Sequence, residues 1–534
     1  MGGPRSFNFA DVWEMAADLV PEREALVVGS QRRSYAELEE RANRLAAWLA
    51  AQGVGVGDHV ALYLENSAEY LEAMLAAFKL RAVPINVNYR YVADELRYLL
   101  DNSDSVGVIT QPSLRPVVDA VVAGGDLPDV GFVLSAGEEY DAVLSASAPE
   151  RVEIERSDDD HYVLYTGGTT GLPKGVVWRQ EDAFYSCIGG GDPMRLQGVV
   201  ERPEQLAERI LDNPFCYLPL APMIHAAAQW TSFSWLFCGG KVVLMPGSLD
   251  PDAVWRTIAA EGVQAMTVVG DAVARPMLDA WDAAGGYEVP SLFAFSSGGA
   301  PLSEASKRRI LATFPHVSLS DGFGSSEAGT QGSSRVSAKD TSGLGTFTNP
   351  AKPTIVVDPE GNEVAPGSGV VGKVLAGGRL PLGYHNDPER TAETFLARDG
   401  GRWLVTGDMA TVEADGSIAL LGRASGVINT GGEKVFPEEV EAVLRTYAGV
   451  YDCLVVGAPD DRWGSAVTAV VQPVDGAVPT LDDLAVHCKE HLAGYKAPKR
   501  LVLVDRITRS PTGKPDYRWA KTVATEPPAP PSAL

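Results

Sequence analysis

The stretch YTGGTTGLPKG, Tyr165 to Gly175, gathers groups suited to holding phosphate. Four glycines, three threonines and one lysine fall within its eleven positions. Glycines let backbone N–H groups turn inward around phosphate oxygens, and a lysine adds a point charge. A Walker A loop needs Gly beside Lys, then Ser or Thr and a helix. Here Pro173 precedes Lys174, Gly175 follows it, and Val176, Val177 and Trp178 read as a strand. The expected arrangement is strand–loop–strand, which excludes a P-loop NTPase. Three hydroxyls beside a lysine are also more than a plain surface turn requires.

The loop resembles the phosphate-binding signature of the adenylate-forming superfamily, which includes acyl-CoA synthetases, luciferases and peptide-synthetase adenylation domains. That resemblance implies ATP contacts at Thr166, Gly167, Gly168, Thr169, Thr170, Gly171 and Lys174. Further segments resemble the family's motifs in the family's order, from about Ser34 to Lys514. SSGGAPLS is similar to the segment whose backbone flanks adenine and brings in Gly299, Ala300 and Pro301. DGFGSSEAG resembles the Y-G-x-T-E motif. Asp321 and Gly322 precede Phe323 in its aromatic place, Ser326 stands at its threonine, and Glu327 at its magnesium-binding carboxylate. TGD makes Asp408 the ribose carboxylate, and GRASGVINTGGEKVFPEEVE makes Arg423 a ribose and phosphate contact. Ser425 then falls at the hinge, and Gly431, Gly432 and Lys434 line the tunnel for pantetheine. RSPTGKPDYRWAK places Lys514 where the family keeps its mobile catalytic lysine. His225, in LAPMIHAAAQW, matches the motif that gates the acyl pocket and counts with Lys514 and Glu327 among the catalytic candidates.

The chemistry implied is activation of a carboxylic acid. A carboxylate is a poor acyl donor, because its leaving group would be an oxide. Attack on the α-phosphate of ATP gives an acyl adenylate that leaves as AMP. The transition state crowds negative charge, so positioning and charge stabilisation carry the step. No covalent enzyme nucleophile is needed. ATP, Mg2+ and CoA as co-substrate are the implied cofactors, with a small-molecule carboxylic acid as partner. Passage of the acyl group to a carrier-protein thiol, or a silent nucleotide-binding role, are the competing readings. Intact Lys174, Glu327, Asp408 and Lys514 speak against silence.

Three departures from the family pattern stand out. Gly167 replaces a frequent serine, Gln180 takes a histidine's place, and Ser425 takes that of a hinge Asp or Lys. For the acid, Ala227, Trp230 and Gly270 are expected in the pocket, small residues leaving room and the indole giving a flat apolar wall. Asp271 is the one acidic residue nearby, so an ammonium has no obvious partner. GVVWRQED, HAAAQW and VVGDAVARP resemble the actinobacterial branch that activates steroid side-chain acids, and related ligases for polycyclic terpenoid acids. A bulky apolar acid is the expected substrate.

These residues need a scaffold, and 534 positions are too many for one core. Capped helices and strands alternate in the first third. SYAELEERANRLAAWLAAQG carries a Ser34–Glu37 capping box and puts Leu38, Ala42, Leu45 and Leu49 on one face. HVALYL reads as a strand, with a second capped helix from Ser67. The expected fold is α/β. A large N-terminal domain of doubly wound sheets with helices (1–423) carries a small α+β C-terminal domain (424–522) on a hinge, and a disordered Pro-rich tail (523–534) follows.

A net charge of −25 argues against nucleic acid and anionic membrane as partners. The most apolar stretch, from Ala226, is broken by Gln229, Ser232, Ser234 and Lys241 and reads as a buried helix and strand rather than a membrane span. Five scattered cysteines and the lack of a signal-peptide pattern fit a cytoplasmic protein, and a homodimer is allowed.

Overall fold

A computed structural model describes residues 6–125, 127, 130–166, 172–212, 214–341, 346–348, 353–430, 433–460, 462–509 and 514–525. Gly167, Gly168, Thr169, Thr170, Gly171, Gly431, Gly432 and the last nine residues lie outside them. Local signals built the first elements. Ser34 Oγ accepts from Glu37 N at 3.1 Å and Glu37 Oε2 accepts from Ser34 N at 2.7 Å, closing the capping box of helix Tyr35–Ala51. Leu38, Ala42, Leu45 and Leu49 are its buried stripe. Ser67 caps helix Ala68–Lys79 through Tyr70 N.

The strand His59–Tyr63 is buried along its whole length, since helices cover both faces of a parallel sheet. That sheet runs Val83–Asn86, His59–Tyr63, Ser105–Thr110, Phe132–Ser135. A second sheet of eight strands has a parallel centre, Ala294–Gly298, Ala265–Val268, Cys216–Pro219 and Lys241–Leu244, with antiparallel strands at its margins. An antiparallel five-stranded sheet over Thr354–Val357 to Ile418–Arg423 completes the large lobe, and the strand–helix alternation of the first third gave no sign of it.

The stretch from Ala226 forms helix Ala226–Leu236 and strand Lys241–Leu244. No described helix is long and apolar enough to cross a membrane. All five cysteines are buried, and none is in a disulfide.

The small lobe has its own apolar core, drawn from Ile428, Val440, Leu444, Val455, Val467 and Leu484. Strands Val450–Asp460 and Gly464–Pro473 pair antiparallel, and Arg500–Leu503 joins in parallel. A single 3₁₀ turn, Ala424–Gly426, links the lobes. Beside it, Gly422 adopts φ +129° because Glu438 fills the space a Cβ would need.

Glu438 Oε2 is buried without a hydrogen-bond partner among the described residues. Burial, with Glu441 second, pushes its pKa up to about 7 from an ordinary 4.5. The sign of the pH effect follows. As pH rises through 4.5 the unfolded chain releases a proton that the folded chain keeps until about 7, so stability falls across that window and stays lowered above it. Glu438→Gln should melt higher than the parent at about pH 8, with the two converging near pH 4. Parallel melting curves across that range, by circular dichroism, would contradict the assignment.

Candidate active site

The loop Tyr165–Gly175 hangs from an antiparallel pair, His161–Thr166 and Lys174–Arg179, in which Thr166 faces Lys174. The short strand Gly383–Tyr384 pairs with the far edge of Lys174–Arg179. This third strand turns Tyr384 into the cleft, where its hydroxyl donates to Glu327 Oε1 at 3.0 Å. Lys174 Nζ lies 5.4 Å from the centre of the same ring. Trp178 Nε1 donates to Ser326 O at 2.9 Å and so ties the lysine's strand to the glutamate's turn. Burial lowers the Lys174 pKa, with Arg390 adding and Asp387 and Glu327 opposing. Burial and Glu327 push the Tyr384 hydroxyl up, so it remains a donor. Phe323 packs edge-on against Phe347 at 5.0 Å and covers Gly332, where a Cβ would collide with the ring.

Asn86 links two further segments. Its Nδ2 donates to Tyr165 O at 2.8 Å and Ile224 O at 2.7 Å, and its Oδ1 accepts from Tyr165 N at 2.7 Å. It thereby fixes the residue before Thr166 against the residue before His225. His225 precedes helix Ala226–Leu236, and its buried Nε2 has no partner among the described residues. Burial first, then the positive Lys514 and Arg90, push its pKa down to about 3. The imidazole is neutral at physiological pH. Ala227 and the buried Trp230 follow on the same helix.

Asp408 and Arg423 face each other across adjacent strands, with Nε to Oδ1 at 3.2 Å. Burial raises the Asp408 pKa, Arg423 opposes this, and Glu327 adds to it. Lys514 is open to solvent, yet surrounding protein strips enough water to lower its pKa, with Arg423 adding and Glu327 opposing. Lys174, Glu327, Asp408, Arg423, Lys514 and His225 therefore share one electrostatic neighbourhood. Tyr451 holds the small lobe in this pose by donating to Asp279 Oδ2 at 3.1 Å, with the Arg275 guanidinium 5.8 Å from its ring. Lys434 is exposed on the hairpin after the hinge.

Gly270 does not leave room in the acyl pocket. Its φ is +53°, and a Cβ would strike the carbonyl of Pro301 and lie 2.9 Å from that of Ala300. The missing side chain serves a close approach to the Gly299–Pro301 segment, reinforced by Asp271 N donating to Pro301 O at 3.1 Å. Asp321 turns its carboxylate to Lys307 at 2.6 Å, on the helix side of the sheet, leaving backbone on the cleft side with Gly322. Asp271 accepts from Ser303 N at 2.9 Å and pairs with Arg275 at 3.4 Å, so it is committed elsewhere. Gln180 accepts from Phe9 N at 2.6 Å and donates to His161 O at 3.1 Å, tying the N-terminal helix to the loop's first strand. A separate cavity of about 830 Å³, bordered by His59, His161, His385 and Thr391, contains none of the nominated residues.

Asn86, Trp178 and Tyr384 escaped sequence reasoning. Tyr384 lies within LPLGYHNDPERTAETF, between the glutamate and aspartate motifs, and Trp178 within GVVWRQED, but neither stretch tells which side chain makes the contact.

The AMP-binding enzyme model matches residues 13–384, and the AMP-binding enzyme C-terminal domain model matches 439–514. The chain is 46% identical over 533 residues to the 3-oxocholest-4-en-26-oate–CoA ligase of Rhodococcus rhodochrous, covering 97% of this chain and 96% of that one. It is 44% identical to a medium/long-chain-fatty-acid–CoA/3-oxocholest-4-en-26-oate–CoA ligase of Mycolicibacterium smegmatis, with 98% of both chains covered. The anthranilate CoA ligase AuaEII, solved with anthranoyl-AMP, shares the fold with a TM-score of 0.85 at 22% identity over 98% of each chain. Spanning both lobes and matched along nearly its whole length, the chain belongs to the AMP-binding enzyme family, the adenylate-forming superfamily.

Proposed function

We propose that the chain is an ATP-dependent, AMP-forming CoA ligase for bulky apolar carboxylic acids, with steroid side-chain acids ahead of fatty acids. The observation that carries the reaction is the convergence of Lys174, Glu327 and Lys514 on one cleft from three separate elements. The likeness to steroid-acid ligases along almost the whole chain supports the acid. Asp271 already lies 3.4 Å from the Arg275 guanidinium, which offsets the charge a substrate ammonium would need.

Lys174 and the loop before it hold the triphosphate, and Asp408 with Arg423 hold the ribose. Lys514 bridges the attacking carboxylate and the α-phosphate. Tyr384 orients Glu327, whose carboxylate is the hard oxygen donor magnesium takes. When bound there the ion would offset triphosphate charge. Neutral His225 adds no charge beside the incoming carboxylate and shapes the mouth of the acyl pocket. For the thiol to reach the same carbonyl, Lys514 withdraws as the small lobe turns about Ala424–Gly426, bringing Gly431, Gly432 and Lys434 to line the pantetheine path. Glycines there leave the passage open.

Lys514→Ala should slow adenylation ~10²–10³-fold, the scale of one preorganised charge at a transition state. Thioester formation from supplied acyl-AMP should be largely spared. Single-turnover assays of each half-reaction check this, and equal losses in both would contradict the division of labour.

A steroid side-chain acid should exceed palmitate in kcat/KM, measured as CoA- and ATP-dependent AMP release. A rigid ring system loses few rotors on binding, whereas a long chain must freeze many at ~0.5–1.5 kcal/mol per immobilised rotamer-rich group. Preference for palmitate would overturn the choice of acid and leave the reaction standing.

A further inference from the structure

Helix Leu481–His491 of the small lobe presents His487, Glu490 and His491 together in its last turn. Spacings of three and four residues bring these side chains onto one face. One ligand atom from each lies within 4.8 Å of the others, and the two imidazole centres are 5.0 Å apart. None of the three belongs to the ligase chemistry above. We propose that they form a site for one divalent transition metal of the zinc type.

Three observations support a built site. First, His487 has an outer partner, its Nε2 lying 2.8 Å from Thr446 Oγ1, which also reaches Val443 O at 2.6 Å. With Nε2 so engaged, Nδ1 is the nitrogen offered to a metal, and a hydrogen-bond partner on the other ring nitrogen is the usual outer support of a ligating imidazole. Second, Tyr447 packs edge-on against the His487 ring at 5.5 Å and limits its rotation. Third, the group sits at a helix C-terminus, where the backbone carbonyls favour a cation.

Two imidazoles and one carboxylate select zinc, nickel, copper or cobalt over magnesium or calcium, which prefer all-oxygen shells. No cysteine competes, since all five are buried. Thr446 and Tyr447 lie just beyond helix Pro437–Leu444, which packs on Ile418–Arg423 and abuts the hinge. A metal at this place would stiffen the pairing of the two helices, so that the small lobe moves as one body.

The test uses the full-length chain without a histidine tag, titrated with Zn2+ alone by calorimetry in the absence of nucleotide. Co2+ binding is followed in parallel through its visible d–d absorption. One equivalent should bind, and the thermal midpoint should rise with Zn2+. His491→Ala should weaken binding at least ~10-fold, and Thr446→Val should weaken it about 10-fold while Thr446→Ser retains it, as expected for loss of a ligand and of its outer support. His491 and Thr446 are exposed, so these variants should fold and keep the parent ligase activity. Zn2+ binding unchanged in His491→Ala would place the ion elsewhere and overturn the proposal. So would Thr446→Val binding like the parent, or a midpoint that fails to rise.

Discussion

Two anions, a carboxylate and a triphosphate, must be brought together inside a protein carrying 25 excess negative charges. The global field opposes this, so attraction has to be local. In the function proposed, Lys174, Arg423 and Lys514 supply it from the start of one strand, the end of another and the tail of the small lobe. Three cations in one cleft repel one another, and loss of hydration lowers the pKa of both lysines. Glu327 and Asp408 are interleaved among them and work against that shift or pair directly. His225 remains neutral, so it adds no further repulsion. The cleft is thus a balanced set of charges whose positive members meet only when both lobes are present.

Balance of this kind tolerates little displacement, and backbone-directed hydrogen bonds provide the rigidity. Asn86 spans from the loop's first strand to the residue before His225, and Trp178 reaches the carbonyl beside Glu327. Removing such a side chain leaves buried groups unpaired at ~1–3 kcal/mol each, enough to let the segments drift. Gly270 acts by the opposite route. With no side chain, its backbone closes directly on Ala300 and Pro301 and holds the Gly299–Pro301 segment at a fixed height.

What was legible in the sequence was local or carried by motif. The Ser34–Glu37 box and the strand–loop–strand about Lys174 rest on neighbours a few positions apart. The third strand of that sheet is two residues long and some two hundred positions away, so periodicity gives no trace of Gly383–Tyr384. Gly270 was misread because composition does not separate a glycine that leaves space from one that yields it to a neighbouring backbone. Asp321 shows the same limit in a strand, where alternation decides which face a side chain takes and Lys307 decides its partner. Which atoms of a motif face inward is a tertiary matter.

The seam between the lobes has a composition suited to separation. Its described contacts include the Tyr451–Asp279 hydrogen bond and the Arg275 guanidinium over the Tyr451 ring. Polar, partly solvated contacts of this kind contribute ~0–1 kcal/mol each, since water replaces what is lost when they part. An apolar seam would hold the lobe in one pose with far greater strength. Only the turn Ala424–Gly426 joins the lobes, and the small lobe keeps its own core. Rotation about that turn would leave both hydrophobic cores intact, as the proposed withdrawal of Lys514 between the two reaction steps requires.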